Sequence, residues 1–197
     1  MPARPLQDAP EVEVQSRAEL REWLAANHAR ASGVWLVSGK KAAGATYLPY
    51  EDIVQECLCF GWIDSLGRAK DDLRSMLYIS PRKPGSNWSR VNKAHVQELE
   101  ARGLIAPAGL AAIDRAKQDG TWTALDGVEA LEVPPDLAAA LGAQDLRPVW
   151  DGWPRSIRRA ALEILLNAKR PETRTRKVAE IVEAAAAGRR PFKWRAS

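Results

Sequence analysis

The stretch P-Y-E-D-I-V-Q-E-C-L-C-F-G-W-I-D (Pro49–Asp64) decides the fold, because a helix, its stop and a strand follow one another within it. Pro49 opens the helix, and Glu51 and Asp52 stand in its first turn, where the helix dipole favours acids. Ile53, Val54, Cys57, Leu58 and Phe60 supply an apolar stripe, and Gly61 is the C-terminal stop. Trp62-Ile63-Asp64 then reads as a strand, paired in sequence with a second strand at Ser75–Ser80 across a charged turn from Gly67 to Arg74. One helix feeding directly into strands excludes a pure bundle.

Upstream, Ser16-Arg17-Ala18-Glu19 is a capping box. The helix it opens places Leu20, Trp23, Leu24 and Asn27 on one face. Gly33 stops that helix, Val34–Val37 reads as a short buried strand, and Lys40–Tyr47 reads as a turn or hairpin. Downstream, everything after Ser86 reads helical: Ser86 or Asn87 caps a helix ended by Gly103, and Pro107 opens another ended by Gly120. Asp136–Leu141 and Asp145–Trp150 are short helical pieces. Trp153-Pro154 begins a helix with Ile157, Ala161, Ile164 and Leu165 inward, and Pro171 starts the last one, with the Ala184–Ala187 run on its surface. The fold class is therefore α+β, mainly α-helical, with a small sheet of short strands in the N-terminal half and a helical C-terminal part. Residues 1–15 read as a flexible leader, 16–133 as an N-terminal α+β region and 134–197 as a basic helical region. The Thr121–Pro135 loop is the candidate boundary, and the two regions read equally as one compact unit.

With 46% apolar and 27% charged residues among 197, the chain has globular composition and enough length to bury a core without metals or cross-links. It has no apolar run of the roughly 18–20 residues a membrane helix needs. No secretory signal is visible before Val14, which with the two thiols Cys57 and Cys59 points to a cytoplasmic protein. The net charge of +4 is unevenly spread. Residues 154–197 hold 12 Lys+Arg against 4 Asp+Glu, a net of +8, so residues 1–153 carry a net of −4. A basic tail on an acidic body attracts anions or docks on its own carboxylates.

Five constellations bear on chemistry. Cys57-x-Cys59 has only His28 and His95 as further soft ligands, so both cysteines read as core residues; no metal site and no cofactor are expected. Asp64 follows a strongly apolar run and needs a partner, with Arg68, Arg82, Arg170 and Arg174 as candidates, or else lines a cleft. The loop Pro81–Ser89 brings Arg82, Lys83, Ser86, Asn87 and Trp88 to a helix start. There, free N–H groups favour an anion and Trp88 offers a stacking face. On the helix that follows, Trp88, Val91, Asn92, His95, Val96 and Leu99 share a stripe, which turns the polar Asn92 and His95 inward. With Asp64, His95 could form an acid–base pair. Finally, Lys169, Arg170, Arg174, Arg176 and Lys177 crowd the start of a helix, the end that disfavours cations. Arg174 points partly inward, so carboxylates or an external anion must answer them.

The strings E-C-L-C-F-G-W-I-D-S (Glu56–Ser65), P-R-K-P-G-S-N-W-S-R-V-N (Pro81–Asn92) and A-K-R-P-E-T-R-T-R-K (Ala168–Lys177) resemble the YdeI/OmpD-associated family, also labelled bacteriocin-protection proteins. The resemblance runs from about Ser16 to Arg190. It implies resistance to cationic antimicrobial peptides or stress, a porin partner and, for some members, a periplasmic location. Lys169, Arg170, Glu172 and Arg174 fall in the family-defining segment. The leading expectation is a resistance protein that binds an anionic small molecule through Arg82, Lys83, Asn87, Trp88 and Asn92 with Lys169, Arg170 and Arg174. One alternative is an enzyme on a small phosphorylated or acidic substrate with Asp64 and His95 as its catalytic pair. The other is weak nucleic-acid or polyanion binding through the basic C-terminal helix.

Overall fold

A computed structural model of the chain describes residues 8–192. The chain divides into two compact units, Met1–Trp122 and Thr123–Ser197, each built on its own hydrophobic core. The mainly helical α+β class holds. Among the described residues, no helix is long and apolar enough to cross a membrane.

The first unit carries a four-stranded mixed sheet of order β1-β2-β4-β3, from β1 (Glu11–Glu13), β2 (Val34–Gly39), β3 (Trp62–Ala69) and β4 (Arg74–Pro81). β1 runs parallel to β2, and the other pairs are antiparallel. Part of the expected leader is therefore structured: Glu11–Glu13 add an edge strand and Val14 is buried, while residues 1–7 lie outside the described residues. The β3–β4 turn is shorter than its charge pattern implied. Asp71 closes it, its Oδ1 accepting from the backbone N–H groups of Leu73 (3.0 Å) and Arg74 (2.7 Å). The ladder can then continue through Gly67, Arg68 and Ala69.

α1 (Arg17–Asn27) has the expected cap: Ser16 Oγ accepts from the Glu19 N–H at 3.2 Å, and Glu19 reaches back to the Gln15 N–H at 2.8 Å. Lys41–Thr46 forms 3-10 turns kinked at Gly44. α2 (Tyr50–Cys59) is the centre of the unit, buried continuously from Ile53 to Cys59. That burial includes Glu56, which is held by Arg17 Nε at 2.7 Å and Arg21 Nη1 at 2.9 Å. α3 (Arg90–Ala101) starts later than expected. Its cap is Ser89, whose Oγ accepts from the Asn92 N–H at 3.1 Å, so Ser86 and Asn87 stay in the preceding loop. α4 (Pro107–Gln118) lies close against the end of α2 because both contacts are glycines. A Cβ at Gly109 would stand 2.4 Å from the Cys59 carbonyl oxygen, and one at Gly61, where φ is +71°, would stand 2.9 Å from that of Ala108.

The second unit is helical: α5 (Asp126–Glu129), α6 (Pro135–Gly142), α7 (Arg147–Asp151), α8 (Arg155–Asn167) and α9 (Pro171–Ala186). Its core gathers Leu137, Leu141, Trp150, Leu165, Ile181 and Val182. Two details differ from the periodicity. Leu162 is buried on α8 where Ile164 was expected, and Ala184 and Ala185 face the core while Ala186 and Ala187 are exposed. An alanine run carries no amphipathic signal, so which of its members turn inward is decided by the flanking Ile181 and Val182.

Candidate functional site

Three elements of the first unit frame a cleft of about 510 Å³. Tyr50 and Val54 face it from α2, four residues and so one turn apart. Asp64 enters from the start of β3, and Ser89, Asn92 and His95 line it from the cap and first turns of α3. Helical spacing puts Asn92 and His95 on the same side of α3, while Val96 and Leu99 turn to the core. Val91 is 59% exposed and borders the cleft, so it is not part of the inward stripe expected of it.

Two polar pairs organise the lining. The Tyr50 hydroxyl donates to Asp64 Oδ2 at 2.7 Å. Partial burial and that carboxylate push the Tyr50 phenol up to about 12, so it keeps its proton at neutral pH. His95 Nδ1 stands 3.4 Å from Gln55 Nε2 and 3.9 Å from Glu51 Oε1. Asp64 and His95 thus share a cleft, as an acid–base reading requires, although no hydrogen bond joins them. The hydrogen-bond partner of Asp64 is Tyr50, not one of the arginines expected for it. Asp64 also acts on the buried Cys57 thiol. Desolvation, reinforced by the Asp64 charge, pushes that thiol far above its usual range, and Cys57 and Cys59 both lie buried in the core as free thiols. Among the described residues, no group of three His, Cys, Asp or Glu is placed to hold a metal ion.

The Arg82–Trp88 loop differs from an open anion cradle. Arg82 is only 5% exposed: Nη2 donates to the Asn87 carbonyl at 2.7 Å, and the guanidinium covers the Trp88 ring at 3.8 Å. Trp88 itself is buried, with Trp122 against it at 5.0 Å, so its faces serve the core and not a ligand. Arg82 Nε and Nη1 are buried without a hydrogen-bond partner, and desolvation lowers the group to about 10, against the opposing pull of Asp64. Lys83 is exposed, and the loop closes on itself through Ser86 Oγ donating to the Lys83 carbonyl at 2.6 Å. Because α3 begins only at Arg90, the basic loop does not sit on the helix N-terminus.

In the second unit, Arg174 is answered internally. Its Nε and Nη2 grip Asp136 at 2.6 and 2.9 Å, and Nη1 donates to the Leu165 carbonyl at 2.9 Å. The guanidinium holds the Asp136 carboxyl below its usual range. Lys177 pairs with Glu180 at 2.7 Å, and Arg176 approaches Glu180 at 3.8 Å. Lys169 and Arg170 are exposed, and neither has a carboxylate partner among the described residues.

Tyr50 and Glu51 are cleft residues that sequence reasoning missed, as is the buried Gln55 that reaches His95. Glu51 was read only as a dipole-compensating acid. That α2 starts beside β3 is a tertiary fact, with no signal in the local pattern.

Comparison with known families divides the chain at a similar place. Residues 12–112 match the model of a domain of unknown function, DUF8412, and residues 130–188 match the family described as Bacteriocin-protection, YdeI or OmpD-Associated. No curated protein and no solved structure matches the chain.

Proposed function

We propose that this chain, which belongs to the DUF8412 family over its N-terminal half and to the YdeI/OmpD-associated, bacteriocin-protection family over residues 130–188, protects the cell by binding a small polar molecule in the α2–β3–α3 cleft. The observation that carries this reading is the convergence of the Tyr50–Asp64 and Glu51–His95 pairs on one open cleft of about 510 Å³. A concave site with a few convergent polar groups on partly apolar walls has the general character of a small-molecule pocket. Two buried free thiols, Cys57 and Cys59, accord with work in a reducing cytoplasm.

A second reading is favoured by one further feature. Asp64 and His95 line the same cleft, so a bound ligand can meet a carboxylate and an imidazole at once, the groups proton transfer needs. Binding and turnover separate in one experiment. Thermal melts of the full chain are run with sugar phosphates, nucleotides and small carboxylates, alongside Asp64→Asn and His95→Gln. A ligand that raises the melting temperature of the wild type and is lost in both variants supports the site. Product formation that both variants abolish while still binding would make the chain an enzyme. If the two variants respond to every ligand as the wild type does, the cleft is not the site. A heparin arm with Lys169→Ala/Arg170→Ala tests the exposed cations of the C-terminal unit, whose polyanion binding should fall steeply with salt.

A further inference from the structure

The second unit holds a groove of about 280 Å³ whose lining shares no residue with the α2–β3–α3 cleft. Its two walls are apolar. Gly127 and Val128 come from α5 and Ala124 from the turn before it, while Leu162, Leu165 and Leu166 share one face of α8 by their i, i+3, i+4 spacing. Val133, Pro134 and Pro135 line it from the chain that leads into α6.

Two charged side chains complete the lining, and they are in opposite states. Arg174 is already neutralised by Asp136, and its remaining Nη1 donates to the Leu165 carbonyl. The Glu132 carboxylate has no hydrogen-bond or ion-pair partner among the described residues. The Glu132 backbone N–H donates to the Gly127 carbonyl at 2.8 Å, which fixes the residue beside the α5 wall. A Cβ at position 127 would stand 2.9 Å from Glu132 Oε2, so the missing side chain at Gly127 leaves room for the carboxylate to lie against the groove.

From this juxtaposition we infer that the α5–α8 groove binds a small apolar molecule carrying one amine, its body between the two helices and its ammonium on the Glu132 carboxylate. The apolar walls supply affinity through the area they take out of water, and one convergent charge on such walls sets the orientation and the sign. An ammonium gains a charge-assisted hydrogen bond there. An anion meets only repulsion, because Arg174 is held by Asp136. The site is independent of the α2–β3–α3 cleft and does not rest on the reading given to it.

The test titrates the full chain with phenethylamine, the uncharged phenethyl alcohol and the anion hydrocinnamate, read by backbone amide NMR shifts. Expected are saturable shifts at Gly127, Val128, Leu165 and Leu166. Phenethylamine should bind about tenfold tighter than phenethyl alcohol, and hydrocinnamate weakest. Glu132→Gln should abolish the preference for the amine and leave phenethyl alcohol unchanged. Gly127→Leu fills the groove and should abolish binding of all three. Glu132→Gln alters an exposed side chain, which keeps the test valid should Gly127→Leu disturb the unit. No saturable shifts at these amides, hydrocinnamate binding as tightly as phenethylamine, or unchanged amine affinity in Glu132→Gln overturns the inference. Asp64→Asn and His95→Gln should bind phenethylamine as the wild type does. Loss of binding in those two variants would move the amine to the first unit and overturn the groove.

Discussion

The two units differ in which of their cations go unanswered. In the second, several cations are answered within the unit, Arg147 by Asp151, Arg159 by Glu129 and Glu163, Arg174 by Asp136, and Lys177 by Glu180, while Lys169 and Arg170 stay exposed without a carboxylate partner among the described residues. In the first, Arg17 and Arg21 are similarly fixed on Glu56, yet Arg82 is buried with two nitrogens unpaired, and Arg68 lies over the Trp35 ring without a carboxylate partner among the described residues. The unit richest in basic residues for its length thus answers many of them with its own carboxylates. Local charge density is a poor guide to a binding site, and unanswered charge is a better one. Pairing discharges a cation's attraction for a ligand, whereas burial or a cleft position without a partner preserves it.

This contrast can be broken at its strongest point first. Glu56 is the most completely paired carboxylate of the first unit, 2% exposed between two guanidinium groups. Glu56→Ala should cost about 2–3 kcal/mol, less than a fully buried pair because Arg17 and Arg21 reach water. Urea unfolding measures it, and a loss under about 1 kcal/mol would mean the network is ornamental.

A smaller effect sharpens the comparison directly. Arg174→Met removes a paired cation and should destabilise the second unit by about 1 kcal/mol, seen as faster amide exchange in α8 and α9. Arg82→Met replaces an unpaired buried cation with an apolar chain, and its unfolding free energy should stay level or rise by up to about 1 kcal/mol. Equal losses in both would erase the distinction between the units. The Asp136 carboxyl adds a pH signature. Its folded-state value is depressed, so its contribution is present above the ordinary carboxylate range and disappears as the pH falls through the lowered one. Arg174→Met should flatten that acid limb.

The smallest effect concerns Tyr50. Its folded-state value is raised to about 12, so above about pH 10 the unfolded chain ionises first and stability declines as the pH climbs toward 12. Tyr50→Phe should remove this alkaline decline and the phenolate absorbance that appears near pH 12, with little change at neutral pH.

Much of the fold was legible in local pattern. The capping box at Ser16–Glu19, the Gly61 stop, the strands around Trp62 and Ser75–Ser80, and Pro171 opening the last helix all act through neighbours in sequence, where capping and periodicity operate. The misreadings lie where distant chain segments compete. Glu11–Glu13 becomes a strand only because β2 offers an edge, and the α3 cap moves from Ser86 to Ser89. Of the site, Asp64, Asn92 and His95 were visible as polar residues in apolar company, but Tyr50 and Glu51 were not.

The sequence by itself determined the class, the helix boundaries set by Pro, Gly and capping side chains, and the excess of charge in residues 154–197. Only the tertiary structure decided which charges are answered. Asp136 lies 38 residues from Arg174, and Glu56 lies 39 and 35 residues from Arg17 and Arg21. The physical reason is range: helix and turn signals act over about four residues, whereas ion pairing and cleft formation depend on distance in space.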